Sequence, residues 1–357
     1  VHFGLTSNDV KDTALALQLK SAYKILLPQV DLLLEALAVR ANESADIVAV
    51  GRSHGQHAVP ITYGLRFVVW LDEILRHRER LVEARKRAIV GKIAGATGSH
   101  AALGKVGLEL QQKVMENLGL HAPIATTQIV QRDRLAESIL TLANLAASIE
   151  KFATNVRNLQ RTEIGEVFEP FAKGKQVGSS AMPHKRNPVS CEKICGIARY
   201  TRSLVAPALE NVISWEERDI THSSTERFVV PQAFILVDYL VREMTRVIHG
   251  LEIDTTAVEL NLTISNEAIL SEYILTQLTK SGLERPKAHN ILRNLSVKAR
   301  EQDTTLLKLV KTDVKTKEVL KGTEIDIDKY FDSIRKTSKH IVEISVKKFR
   351  ETVNTTE

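Results

Sequence analysis

Cysteine is scarce in this chain. Cys191 and Cys195 are the only two among 357 residues. Two thiols cannot build a disulfide framework, and a zinc site needs more ligands than these. They stand at i,i+4 on one helix face and read as small apolar core residues in a reducing, cytoplasmic compartment. Aromatic residues make up 5%, which leaves little for base stacking. No apolar run approaches the ~18 residues of a bilayer span, so no membrane role is expected. Strand patterns are sparse, with residues 46–50 the best candidate. The eleven histidines are scattered without ligand spacing, so neither a metal nor a cofactor is expected. The Gly-rich stretch 91–100 follows no strand and lacks the order of a phosphate-binding P-loop.

What is present points to a soluble globular protein, with 43% hydrophobic and 26% charged residues. The net charge is +6, but acids interleave the bases, as in residues 76–80 and 311–315. That balance suits a small polyanion better than a nucleic acid. The periodicity is helical almost throughout. Leu135, Ile139, Leu142, Ala146, Ile149, Ala153 and Val156 alternate in steps of four and three, the seam of a helix bundle. Apolar flanks at Leu140, Ala143, Leu145, Ala147 and Phe152 predict that this helix is covered on several sides. A similar stripe runs from Leu15 to Leu37, where Pro28 should kink or break the helix. Another runs from Trp70 through His77 to Ala88. Further helices are expected at about 188–210, 228–250, 266–282, 286–302 and 332–352. The composition shift near 251–255 divides the chain into a long-helix bundle domain over 1–252 and a smaller helical domain over 253–357.

One run carries more distinct chemistry than any other. Residues 178–188 read Gly-Ser-Ser-Ala-Met-Pro-His-Lys-Arg-Asn-Pro. Gly174 and Gly178 free the backbone, and Asn187-Pro188 suits the start of a helix. The segment reads as a mobile polar loop that delivers cations to a helix N-terminus, an anion-binding arrangement. Thr6-Ser7 similarly precedes the first helix, Pro60 is expected to open the second, and Gln128 lies just ahead of the heptad helix. Yet a helix of ~30 residues is ~45 Å long. Successive antiparallel helices would place these starts at opposite ends, so they meet only if symmetric partners supply some of them.

Residues 178–188 resemble the mobile loop of the fumarase/aspartase superfamily, and His184-Lys185-Arg186 points to its adenylosuccinate lyase branch. Residues 2–13 (His-Phe-Gly-Leu-Thr-Ser-Asn-Asp-Val-Lys-Asp-Thr) and 51–60 (Gly-Arg-Ser-His-Gly-Gln-His-Ala-Val-Pro) resemble the other shared regions. Residues 215–227, from Trp215 to Arg227, are more particular to that branch. The motifs occur in order over nearly the whole chain. The resemblance implies an all-α, long-helix bundle of the fumarase/aspartase type, with a smaller helical C-terminal domain. The chain starts at Val1 and its first motif at His2, so the family's N-terminal domain is expected to be largely absent. The resemblance further implies a homotetramer whose active sites are shared between subunits, and an anionic nucleotide substrate.

The implied reaction is β-elimination: adenylosuccinate would give AMP and fumarate, and a succinylated aminoimidazole carboxamide ribotide would be cleaved likewise. By resemblance Ser179 is the base and His54 the acid for the leaving nitrogen, with Ser53 in place of the usual threonine. Lys185 and Asn187 would stabilise the aci-carboxylate. Thr6, Ser7 and Ser53 would hold a succinyl carboxylate. Gln128, Arg218, Ser223 and Arg227 match positions that contact the nucleotide or succinyl groups, and His2 matches a histidine near the phosphate or base. An upstream histidine that the family places near the catalytic centre is not in the sequence. Alternative readings are an argininosuccinate lyase, a cycloisomerase relative and a catalytically silent structural relative. The intact Ser179, His54, Lys185 and Asn187 argue against the last, and residues 215–227 against the cycloisomerase.

Overall fold

The computed structural model describes residues 2–171, 182, 184–321 and 323–354. Helices dominate them. In chain order they run α1 (Ser7–Glu43), the strands β1 (Val48–Ser53) and β2 (Gln56–Thr62), α2 (Tyr63–Ala88), α3 (Lys105–Leu118) and α4 (Asp133–Leu159). Then follow β3 (Val167–Phe168), α5 (Val189–Ser203), α6 (Val205–Glu210), α7 (Thr221–Gly250), β4 (Glu252–Ile253) and α8 (Thr255–Thr263). A 3₁₀ turn (Ala268–Leu270) leads into α9 (Ser271–Lys280), α10 (Arg285–Glu301), α11 (Leu306–Thr312), α12 (Val314–Val319) and α13 (Ile327–Asn354). The strands form two small antiparallel pairs, β1 with β2 and β3 with β4, so the all-α expectation holds.

The chain divides into two compact units. The first comprises residues 1–36, 72–157 and 171–250; the second comprises 37–71, 158–170 and 251–357. In the first unit the heptad seam of α4 is buried from Ile139 to Val156, and its flanks Leu145 and Phe152 are fully enclosed. Leu140 is 40% exposed, so one side of α4 stays open within a single chain. The matching seam on α7 is Val230, Ala233, Val237, Leu240, Met244 and Val247, all buried in the same three–four rhythm. Tyr23 of α1 ties the three helices together. Its hydroxyl donates to Ser138 Oγ at 3.0 Å on α4, and its ring meets Phe234 of α7 edge-on at 5.1 Å. Each buried Val, Leu, Ile, Phe or Met of these seams contributes roughly 1.5–3 kcal/mol.

Three local expectations are corrected. Pro28 does not break α1, which runs from Ser7 to Glu43. Pro28 and Lys24, whose carbonyl loses its N–H partner, are both exposed residues, while Leu26, Leu27 and Val30 beside them are buried and outweigh the ~3 kcal/mol cost of an internal proline. Residues 188–210 form two helices that meet at Leu204. α7 begins seven residues before the expected 228, so His222, Ser223, Glu226 and Arg227 ride on a helix.

In the second unit, Ile269, Ile274, Leu278, Leu292, Leu306 and Val310 form the centre of the core. Tyr273 and Tyr330 stack against it with ring centroids 4.3 Å apart.

His77 lies in the apolar stripe of α2 and is 2% exposed. Its Nε2 meets Ser148 Oγ at 2.8 Å, and that hydroxyl donates to Glu73 at 2.5 Å. Burial, then the charge of Arg80, lowers its pKa from 6.5 to about 4. The folded imidazole therefore gains its proton later than the unfolded one as pH falls. Stability present at neutral pH is lost between about 6.5 and about 4, by on the order of 3 kcal/mol. Thermal unfolding of His77→Gln between pH 7 and pH 4.5 should accordingly show a smaller acid-induced drop than the parent protein. Equal drops in the two would remove His77 as the source.

Candidate active site

The start of α1 is built around a buried aspartate. Asp9 accepts hydrogen bonds from the backbone N–H of Thr6 (2.8 Å), Ala94 (3.0 Å) and Gly95 (3.2 Å), and pairs with the fully buried Lys92. One turn on, Thr13 Oγ1 exchanges hydrogen bonds of 3.1 Å with both the N–H and the C=O of Lys92. The Gly-rich stretch is thus laid along α1 by side chains of the 2–13 motif, and Thr6 and Ser7 sit at a fixed helix entrance. Thr6 is half-buried and Ser7 exposed.

A second anchor lies one turn further along. Arg132 is buried between two carboxylates and makes a two-pronged contact with each. Asp12 of α1 accepts at 3.0 and 3.0 Å; Glu226 of α7 accepts at 2.5 and 3.1 Å. Burial opposes the charge on Arg132, but the hydrogen bonds to Asp12 and Glu226 outweigh it and raise its pKa above the ordinary arginine value. Asp12 also accepts from the Val130 N–H at 2.7 Å.

Beside this trio a cavity of about 590 Å³ opens between α1 and α7. Arg218, Ser223 and Arg227, three of the residues singled out from the sequence, line it together with Lys11, His222 and Asn8. Gln128 adjoins: its Oε1 accepts from Arg218 at 2.6 Å, its Nε2 donates to the Ala96 carbonyl at 2.9 Å, and its N–H bonds Glu217 O at 3.2 Å. Three buried nitrogens at this cavity have no hydrogen-bond partner among the described residues: Asn8 Nδ2, Arg218 Nε and His222 Nδ1. Burial, reinforced by the charge of Arg132, holds the His222 pKa below the ordinary histidine value. A neutral imidazole and several spare donors beside Lys11, Arg218 and Arg227 suit a ligand with anionic oxygens.

Ser53 and His54 belong to the second unit, where they end β1 and open the turn to β2. His54 and Gly55 have φ of 53° and 74°, the positive pair that a two-residue hairpin turn requires. Pro60 does not open α2. It sits in β2 opposite Val50, and the helix starts at Tyr63 after Thr62, whose Oγ1 accepts from the Leu65 N–H at 3.2 Å. A two-stranded sheet has only edge strands, where a missing N–H is tolerated. Arg52 reaches Glu166, a carboxylate that Tyr63 and Asn261 also bond. Burial would raise the pKa of Glu166, but these hydrogen bonds, led by Arg52, hold it below the ordinary glutamate value.

Ser179, with Gly174 and Gly178, lies outside the described residues. Lys185 is exposed, and its N–H bonds Met182 O at 3.0 Å. The following helix starts at Val189 with Pro188 in the N-cap position, so Asn187, the expected cap, stands one residue ahead of the observed one. His2 is exposed at the start of the chain. The structure thus gathers Gln128, Arg218, Ser223 and Arg227 in the first unit around one cavity, while Thr6 and Ser7 mark the nearby start of α1. Sequence reasoning missed Asp12, Arg132, His222 and Glu226. Asp12 and Glu226 lay within quoted motifs, but nothing in their spacing announced a shared arginine.

Residues 1–201 match the sequence family described as Lyase, and residues 267–344 match that described as Adenylosuccinate lyase C-terminus. The adenylosuccinate lyase of Archaeoglobus fulgidus is 43% identical over 325 residues, which is 91% of this chain and 73% of the relative. That of Pyrococcus abyssi is 45% identical over 328 residues, covering 92% and 72%. Among solved structures, the 3-carboxy-cis,cis-muconate lactonizing enzyme of Pseudomonas putida is similar with a TM-score of 0.86. It is 31% identical, covering 98% of this chain and 78% of that one. A fumarate lyase from Mesorhizobium sp. BNC1 has a TM-score of 0.85 and 29% identity, covering 97% and 77%.

The Arg132 trio yields a stability prediction. Arg132→Met leaves Asp12 and Glu226 facing each other without a countercharge. Removing one partner of such a buried network costs about 3–5 kcal/mol. Urea unfolding should show a loss of that size, and a loss under about 1 kcal/mol would mean that water already compensates the pair.

Proposed function

The chain belongs to the adenylosuccinate lyase family of the fumarase/aspartase superfamily, and from that premise we propose how its residues cleave adenylosuccinate into AMP and fumarate. The observation that carries the substrate is the cavity beside α1 and α7, where Gln128 and Arg218 are already hydrogen-bonded and several donors await a partner. Arg218, Ser223, Arg227 and Gln128 bind the nucleotide and succinyl oxygens. Thr6, Ser7 and Ser53 take a carboxylate, and His2 lies toward the phosphate or base. The same site accepts the succinylated aminoimidazole carboxamide ribotide.

In the reaction, Ser179 as its alkoxide takes the proton from the carbon beside a succinyl carboxylate. The electron pair moves into that carboxylate to give a dianionic aci-acid, which Lys185 and Asn187 stabilise. The pair then returns to form the double bond of fumarate, the neighbouring C–N bond breaks, and His54 protonates the leaving nitrogen. No cofactor takes part in these steps.

The working assembly is a homotetramer of the cytoplasm, with His54 and Ser179 of one pocket drawn from different subunits. Support comes from apolar side chains left open along the long helices. Val10, Ile25 and Leu32 of α1 are more than half exposed, as are Phe228 and Ile235 of α7. Faces of this kind on bundle helices are the usual seats of further helices.

Loss of adenylosuccinate absorbance, with argininosuccinate and 3-carboxymuconate as controls, tests the substrate. Turnover of either control in preference would overturn the reading. Ser179→Ala should lower kcat by ~10³-fold or more while substrate still binds. Near-normal turnover would transfer the base to another group. Inactive His54→Ala and Ser179→Ala proteins, unfolded together in equal amounts and reassembled, should regain about a quarter of wild-type activity, one half times one half. A reassembled mixture that stays inactive would refute sites shared between subunits.

A further inference from the structure

We infer that Glu166 is a positioning residue for the Ser53–His54 hairpin tip, holding the root of the hairpin so that the tip presents the acid in one place. The inference rests on the proposed role of His54.

Among the described residues nothing encloses the tip. Ser53, His54, Gly55 and Gln56 are all exposed. A Cβ added at Gly55 would meet nothing within 4 Å. The placement of such a tip depends on what grips the strands beneath it. At the root the strands approach so closely that a Cβ on Gly51 would lie 2.4 Å from the Val59 carbonyl. The register shifts there, between Val50 and Arg52. A bulge of this kind bends the strand and re-aims the residues beyond it, here Ser53 and His54.

Glu166 holds that bulge. It is 0% exposed. It accepts hydrogen bonds from Arg52 Nη2 at 2.6 Å, Tyr63 Oη at 2.5 Å and Asn261 Nδ2 at 2.9 Å, and Arg66 Nη1 stands 3.5 Å away. Arg66 in turn donates to the Val50 carbonyl at 2.6 Å. Pro60, paired with Val50, has no N–H to offer that carbonyl. Both sides of the bulge are therefore tied to one carboxylate, Arg52 directly and Val50 through Arg66. The carboxylate is itself fixed, because its backbone N–H bonds Leu159 O at 3.1 Å and its carbonyl accepts from Asp254 N at 3.0 Å. A carboxylate offers about four lone-pair sites; hydrogen bonds from Arg52, Tyr63 and Asn261 occupy three, and the Arg66 guanidinium adds an ion pair at 3.5 Å. Glu166 is thus well bonded and enclosed, suited to holding rather than to proton transfer.

The consequence is geometric. A misplacement of ~1 Å in a reacting group costs up to ~10²-fold in rate. Glu166→Gln replaces an acceptor with a donor beside two guanidinium groups and releases the tip. It should lower kcat/KM for adenylosuccinate by about 10- to 100-fold, while the Kd for AMP, held by side chains off the hairpin, changes less than about 2-fold. In a Ser53→Ala/His54→Ala background the same substitution should change residual kcat/KM by less than about 2-fold, because the groups it positions are gone. If Glu166→Gln does not fold, Arg52→Lys, which keeps the charge and loses the guanidinium that reaches both Glu166 and, through Nη1 at 3.4 Å, the Val50 carbonyl, is expected to show the same pattern. Equal losses in the two backgrounds, AMP binding weakened by the same factor as catalysis, or no loss at all would overturn the inference. The failure of the underlying reading is separately visible. Wild-type activity in the Ser53→Ala/His54→Ala protein would refute the role of His54 itself, and this inference with it.

Discussion

Arg132 is a permanent cation in a place with almost no water, and two carboxylates from two helices close around it. Burying this trio is costly unless every donor finds its acceptor. The two-pronged contacts to Asp12 and Glu226 meet that condition only at one relative position of α1, α4 and α7. The apolar seams do not impose it alone, because a heptad stripe packs almost as well after a slip of seven residues. The trio therefore acts as a registry lock at one end of the first unit. The Tyr23 hydroxyl on Ser138 adds a second polar point within the same apolar stack.

The same logic explains the charge of the cavity. The acids near it are already engaged: Asp9 with Lys92 and three backbone amides, Asp12 and Glu226 with Arg132. Those pairings leave Lys11, Arg218 and Arg227 at the cavity without a matched acid among the described residues. The resulting excess of donors suits succinyl and phosphate oxygens. In the second unit Glu166 likewise engages Arg52 and lies close to Arg66. Carboxylates in both units organise the cations, and the remaining cations are available to an anionic ligand.

The legible part of the sequence was what repeats. The seam from Leu135 to Val156 announced α4 because a period of three and four is visible without knowing what covers it. The stripe on α2 was equally plain, and it hid His77, whose polar partners Ser148 and Glu73 no periodicity reveals. Helices of six to nine residues, such as α8, α11 and α12, were missed because they are too short to show a period. Pro60 was misread, and the break allowed for at Pro28 does not occur, for one reason. A proline signals a missing N–H, but its effect depends on whether the neighbouring carbonyl faces water or an edge, which is a tertiary fact. The candidate residues were legible as short motifs of unusual composition, whereas Asp12, Arg132 and Glu226 were not. Their relation spans 120 residues between Asp12 and Arg132 and 94 between Arg132 and Glu226, and nothing local encodes it.

Solvent exposure supports the proposed sharing of one site between copies of the chain. An unactivated serine is a feeble base, and it gains strength only where water is kept away and cations stand near. In one chain Ser7, Ser53, His54 and Lys185 are all exposed. An imidazole and an ammonium in open water would be screened and poorly positioned, and neither would stabilise a dianion by more than a small fraction of what the reaction demands. The buried polar clusters, the Arg132 trio in the first unit and the Glu166 cluster in the second, are groups that hold rather than react. A division of this kind, with rigid supports complete within the chain and reactive groups left open, is what a site requires if neighbouring copies are to supply its walls. In the proposed assembly, the exposed apolar side chains on α1 and α7 are where those copies would dock.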